Sequence, residues 1–152
     1  MKKIIVISDS HGNKDNINEI LSRAGSCDYI FFLGDGIGDT LVFPEDKLIA
    51  VKGNCDGAYN SEKVVDVEGV KIFLTHGHEY NVNESLLDLK FKAEELKANL
   101  VLFGHTHNAI IEEQGGITFI NPGALKGDYI NKGTYAYIII EKGNIYPVIC
   151  EI

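Results

Sequence analysis

A chain of 152 residues, 45% hydrophobic and 24% charged, has the composition of one ordinary globular domain and is long enough to bury a core without staples. Its net charge of −8 argues against binding long nucleic acid, and no apolar run approaches the roughly 20 residues that cross a membrane. Three cysteines (Cys27, Cys55, Cys150) without Cys-x-x-Cys spacing argue against a disulfide framework and suit a reducing, cytoplasmic compartment.

Met1-Lys2-Lys3 before Ile4-Ile5-Val6-Ile7 superficially resembles a signal peptide, but the apolar run is short and Ser8-Asp9-Ser10-His11 ends it. Lys3–Ser8 reads instead as a strand covered on both faces. Asn13 caps a predicted helix to about Ala24, with Ile17, Ile20, Leu21 and Ala24 at helical spacing and Gly25 as its stop. Tyr29–Leu33 is a second buried strand ending in Gly34-Asp35-Gly36, and Lys47–Val51 a third ending in Gly53-Asn54-Cys55-Asp56. Lys63–Glu68 and Val70–Thr75 form a predicted hairpin around Glu68-Gly69, and its second strand runs into His76-Gly77-His78. Asn83 is the expected cap of a helix to about Ala98, with Leu86, Leu89, Ala93 and Leu96 as its apolar stripe. Leu100–Phe103 is a buried strand that stops in Gly104-His105-Thr106-His107. Then Ala109–Glu113 and Ile117–Ile120 flank Gly115-Gly116, Asn121-Pro122-Gly123 turns, and Tyr135–Glu141 and Ile145–Ile152 flank Gly143-Asn144.

Two helices cannot cover this many strands in one sheet. The pattern predicts an α/β fold, a four-layer α/β/β/α sandwich of two mixed sheets with flanking helices, in a single domain over 1–152. Tyr135–Ile140 is expected to be an edge strand through which a homodimer could form.

The chemistry collects at strand ends. Asp9, His11, Asp35, Asn54, His76, His105 and His107 all lie just past predicted strands, where ligands gather in α/β sheets. Taken singly, Asp9, Asp35 and Asn54 each have an ordinary turn role. Together they offer three oxygen donors and four imidazoles, too many for one zinc and suited to two divalent ions about 3.5–4 Å apart. The thiolate-free set admits Mn²⁺, the leading expectation, or Ni²⁺, Zn²⁺, Fe²⁺ or Co²⁺. Thr106 is expected to point away from the ions, since side chains alternate along an extended segment.

In order, Asp9-x-His11, Gly34-Asp35, Gly53-Asn54-x-Asp56, Gly77 with its flanking histidines, and Gly104-His105-x-His107 resemble the calcineurin-like metallophosphoesterase superfamily. The nearest likeness is its small single-domain branch, the YfcE-like phosphodiesterases, which share their fold with the retromer subunit Vps29. The likeness spans residue 4 to about residue 124, including Asn121-Pro122-Gly123-Ala124.

The resemblance implies that Asp9, His11 and His107 hold a first metal, that Asn54, His76 and His105 hold a second, and that Asp35 bridges them. It further implies attack by a metal-bridging hydroxide, with Asn54 stabilising the phosphoryl oxygens. Where many relatives carry a histidine that protonates the leaving group, this chain has Cys55, a poor hydrogen-bond donor. His78 is the spare imidazole expected to serve as general acid, or else to orient His76. The function so implied is hydrolysis of a small or nucleotide-like phosphodiester, with no membrane partner. A phosphomonoesterase or protein phosphatase on the same site, and a Vps29-like protein-binding scaffold, are the alternatives.

Overall fold

The computed structural model describes residues 1–152. One sheet has the order β10-β9-β1-β2-β3, from β10 (Asn144–Glu151), β9 (Thr134–Glu141), β1 (Lys2–Ile7), β2 (Tyr29–Phe32) and β3 (Leu48–Ala50). The other has the order β4-β5-β6-β8-β7, from β4 (Glu62–Val67), β5 (Val70–Thr75), β6 (Leu100–Leu102), β8 (Ile117–Asn121) and β7 (Ile110–Gln114). Both are mixed: β1, β2 and β3 run parallel, as do β5, β6 and β8, and the outer hairpins are antiparallel.

The alternation of side chains along each strand explains the layers. Ile4 and Val6 of β1 face inward and meet Ile72, Leu74, Leu100 and Leu102 of the second sheet in a buried cluster between the sheets. Ile5 and Ile7 face outward onto Ile17 and Ile20 of α1 (Lys14–Arg23). On the far side Phe73, Val101 and Phe119 pack against Leu89 and Ala93 of α2 (Leu87–Leu96). The four-layer sandwich anticipated from the sequence is the observed one.

Three local expectations are corrected. The Asn83 cap is absent, because the chain from His78 first makes a 3₁₀ turn and a left-handed residue at Asn81. That detour buries Val82 against the α2 cluster, and the helix begins only at Leu87. Gly25 is no left-handed stop; it lies inside the 3₁₀ turn Ala24–Ser26, which buries Ala24 and Cys27 beneath the end of α1. The strand Tyr135–Ile140 is not an edge, because it belongs to β9, paired with β1 on one side and β10 on the other. The edge on that side is β10, carrying Pro147 at its middle, where the missing N–H discourages a further strand.

Candidate metal centre

The parallel strands of the two sheets end on one side of the sandwich, and the loops beyond them are stitched across. Asp9 N–H donates to Gly34 O at 2.9 Å and His11 N–H to Asp35 O at 3.1 Å, continuing the β1–β2 ladder past its strands. In the other sheet Gly104 N–H donates to His76 O at 2.9 Å. His105 N–H then donates to Asp9 Oδ2 at 3.1 Å, joining the two sheets at the site.

Two groups of donor atoms result. Asp9, His11 and His107 form one, and Asp35, His76 and His105 the other, the ligand atoms of each lying within 4.8 Å of one another; a third set, His11, Asp35 and Cys55, overlaps both. His107 Nε2 stands 3.2 Å and His11 Nε2 3.6 Å from Asp9 Oδ1. His76 Nε2 stands 3.3 Å from Asp35 Oδ2 and 3.3 Å from His105 Nδ1. Asp35 Oδ2 is also 3.7 Å from His11 Nε2, so this carboxylate faces both groups. Donors about 2.1 Å from a tetrahedral ion lie roughly 3.4 Å apart, which is the spacing seen here. Asn54 is exposed, and its amide Nδ2 makes a single contact, to Cys55 Sγ at 3.6 Å.

The hydrogen bonds around these donors suit cations. Asp9 is fully buried; its Oδ2 accepts from Ser8 Oγ and His105 N–H, while Oδ1 accepts no hydrogen bond. A buried carboxylate oxygen without a donor is costly, and a cation is the partner this cluster of imidazoles provides room for. His76 Nδ1 lies 2.7 Å from Leu33 O, so that nitrogen carries the proton and the Nε2 lone pair points into the centre. Burial, reinforced by the neighbouring His76, pushes His105 below the ordinary imidazole range, favouring the neutral ligand form.

The backbone carries a second signature. Nine non-glycine residues have positive φ, and Asp9, His11, Asp35, His105 and His107 are five of them. Left-handed residues without a glycine's freedom are strained, and such strain concentrates at functional sites. It also revises the reading of Thr106. Its Oγ1 does turn away, accepting from Asn121 Nδ2 at 3.0 Å, but the cause is a left-handed turn at each histidine and not strand alternation.

Several supporting residues escape a reading based on ligand types. Asp56 accepts four backbone N–H groups: Asp35 (2.7 Å) and Gly53 (2.7 Å) at Oδ2, Gly36 (2.9 Å) and Ile37 (3.0 Å) at Oδ1. Burial pushes its carboxyl up, but these four donors outweigh burial and hold it below the usual carboxylate range. Gly53 and Gly104 are required by closeness: a Cβ would collide with Asp35 Oδ1 at the first and with Ser8 Oγ at the second. Asn121, read from the sequence as a turn residue, donates through Nδ2 to Gly104 O and Thr106 Oγ1 and so fixes the histidine loop. The side-chain Asn-to-backbone pattern at Asn121-Pro122-Gly123 was the available signal.

His78 lies beside the second group, its ring centroid 5.5 Å from that of His76 and 6.1 Å from that of His105. Its Nδ1 is buried without a partner, and Nε2 is 3.7 Å from Glu79 Oε1. It makes no hydrogen bond to His76. Cys55 is exposed, with Sγ among the ligand atoms of His11 and Asp35. Burial and the Asp35 carboxylate push its thiol up, so it stays protonated near neutral pH.

Residues 1–143 match the family model described as the calcineurin-like phosphoesterase superfamily domain. The chain is 33% identical over 142 residues to the probable metallophosphoesterase YsnB of Bacillus subtilis, covering 91% of this chain and 84% of that protein. It is 28% identical over 159 residues to the phosphodiesterase YfcE of Escherichia coli, covering 82% and 80%. The structure of Vps29 from Entamoeba histolytica complexed with Zn²⁺ superposes with a TM-score of 0.76 at 20% identity, covering 98% of each chain, a likeness of fold alone.

Proposed function

The chain belongs to the calcineurin-like phosphoesterase superfamily and is a metal-dependent phosphoester hydrolase; on that premise we propose that it cleaves small phosphodiesters at a centre of two divalent ions. The observation that carries the proposal is Asp9 Oδ1, a buried carboxylate oxygen with no donor, facing His11, His76 and His107. Asp9, His11 and His107 would hold one ion and Asn54, His76 and His105 the other, with Asp35 shared. Divalent ions held there would polarise the phosphoryl oxygens and would supply a water acidic enough to attack near neutral pH.

The chain's own groups do the rest. Asp9 is oriented by Ser8 and His105 N–H, and Asp35 by Cys55 N–H at 2.8 Å, so neither carboxylate must reorganise when substrate arrives. The exposed Asn54 amide, which donates to Cys55 Sγ at 3.6 Å, has a second N–H for a phosphoryl oxygen. When the P–O bond to the leaving group breaks, that oxygen needs a proton, and His78 is the imidazole beside the centre that holds no ligand position. The neutral Cys55 thiol is too weak a donor to replace it.

The preference for diesters rests on the likeness to YfcE, itself named a phosphodiesterase. Metal analysis after loading is expected to give two equivalents of Mn²⁺ per chain, falling in Asp35→Ala and His107→Ala; one equivalent or none in the wild type rejects the two-ion centre. Bis(p-nitrophenyl) phosphate is expected to turn over faster than p-nitrophenyl phosphate, and the reverse order makes the protein a phosphomonoesterase. Loss of a general acid costs roughly 10²-fold where the leaving group is poor. His78→Ala is therefore expected to slow an alkyl ester leaving group by about that factor and nitrophenolate by less than about threefold; equal effects on both remove His78 from the role. A Vps29-like scaffold needs none of the seven donors, and their full complement favours the hydrolase.

A further inference from the structure

Beside His107 a cavity of about 330 Å³ opens between the His107–Ala109 turn and the loop that joins β8 to β9. That loop is built, not loose. Asn16 Nδ2 donates to Leu125 O (2.7 Å) and Lys132 O (2.6 Å), and Asn13 Nδ2 donates to Lys126 O (3.0 Å). Lys126 N–H donates to Asp9 O at 3.0 Å, which ties the cavity wall to the backbone of a candidate ligand. Asp128 Oδ1 accepts from Ile130 N–H and Asn131 N–H (2.8 and 2.7 Å), closing a turn that sends Tyr129 and Ile130 into solvent. Lys126 and Asn131 are left on the cavity side.

The lining defines the chemistry it can take. Its only hydrophobic residues are Ala109 and Ala124, and no aromatic ring other than His107 faces it, so a flat apolar group finds nothing to stack on. Thr134 has already donated its hydroxyl to Pro122 O, and Asp128 Oδ1 is occupied by the turn. What remains is the Lys126 ammonium, the carboxamides of Asn108 and Asn131, and Asp128 Oδ2. Lys126 is the one lysine or arginine and Asp128 the one carboxylate in a lining that begins at His107; the Asp128 charge is held by the N–H groups of Asn131 and Ile130, and Lys126 is the group left to meet an anion.

We propose that this cavity is the subsite for the ester group that stays on phosphorus, and that Lys126 selects groups carrying a negative charge of their own. The proposal rests on the phosphodiesterase reading and names its substrate class: diesters with an anionic, hydrogen-bonding substituent. A charge-assisted hydrogen bond to a preformed donor set rewards an anion there and leaves an alkyl group with unpaired donors.

The test uses two p-nitrophenyl diesters with the same leaving group, one with a 2-carboxyethyl and one with a propyl second ester. The wild-type Mn²⁺ enzyme is expected to prefer the carboxyethyl diester by about tenfold in kcat/KM. Lys126→Met is expected to bring that ratio to about one, and Lys126→Arg to keep most of it. No preference in the wild type, or a ratio unmoved by Lys126→Met, overturns the subsite while leaving the phosphodiesterase reading intact. If neither diester turns over, that reading fails, and the subsite is decided by amide NMR of the metal-free protein. Shifts at 107–109 and 124–134 with the carboxyethyl diester and not the propyl one then uphold it; their absence overturns it.

Discussion

Metal-free Asp9→Asn protein is expected to melt no lower than metal-free wild type, to gain less from added Mn²⁺ than wild type does, and to lose about 10³-fold or more of the phosphoesterase activity. The three outcomes share one cause. Asp9 is fully buried and its Oδ1 accepts no hydrogen bond, so without an ion that oxygen is removed from water with only the imidazole nitrogens of His107, His11 and His76 beside it, at 3.2, 3.6 and 3.8 Å. An asparagine can place its carbonyl at the Oδ2 position, keeping the Ser8 hydroxyl and the His105 N–H, and its amide nitrogen at Oδ1. That nitrogen would face His107 Nε2 across the present 3.2 Å and donate to it. The substitution thus relieves the metal-free protein while deleting a charged ligand. In the wild type an ion at a hundred times its Kd stabilises the fold by about 2.7 kcal/mol. For a domain of this length that is a rise in Tm of about 5–10 °C. Thermal melts with Mn²⁺ and with a chelator read both effects. A variant several degrees less stable than wild type without metal, yet stabilised by Mn²⁺ as much as wild type, would show that Asp9 serves the fold and not the ion.

The same contrast between local and long-range determinants explains what could be read from the sequence. Ile4–Ile7, Phe31–Leu33 and Leu100–Phe103 are continuous apolar runs because both their faces are covered, and every one of these residues is buried. Their ends are therefore legible, and with them the chain positions of Asp9, Asp35, His105 and His107. The start of α2 was not, because burying Val82 requires a detour that no cap residue announces. Nor was the edge strand: whether β9 or β10 lies outermost depends on β9 pairing with β1 across more than 130 residues of sequence. Thr106 shows a correct direction reached by the wrong route, since strand periodicity does not apply where His105 and His107 are both left-handed. Candidate ligands announce themselves by residue type. The groups that hold them, such as Asn121 on Gly104 and Ser8 on Asp9, use ordinary polar side chains whose partners only the fold identifies.

Asp56 is the strongest instance, and its replacement is expected to cost the metal-free protein about 3 kcal/mol. Each carboxylate oxygen accepts two backbone N–H groups, and the four donors come from the ends of β2 and β3, the two strands that deliver Asp35 and Asn54. Asp56→Ala leaves all four without this acceptor. Asp56→Asn is no rescue, because its NH₂ group would point at two N–H donors, and it is expected to fall close to the alanine variant. Since the folded carboxyl lies below its ordinary range, its contribution is present above the unfolded value near pH 4 and is lost as pH falls through the folded value. The stability gap between wild type and Asp56→Ala should accordingly narrow in acid and be flat from neutral pH upward. The second consequence concerns the ions. Asp35 is held at φ 61 with its N–H on Asp56, and without that anchor the strained residue is free to relax. Mn²⁺ titration of Asp56→Ala at a temperature where it remains folded is expected to give affinity at least about tenfold weaker than wild type, although Asp56 lies in neither ligand group. Wild-type affinity in a destabilised variant would confine Asp56 to holding the fold; weakened affinity together with lost stability identifies it as the residue that positions Asp35.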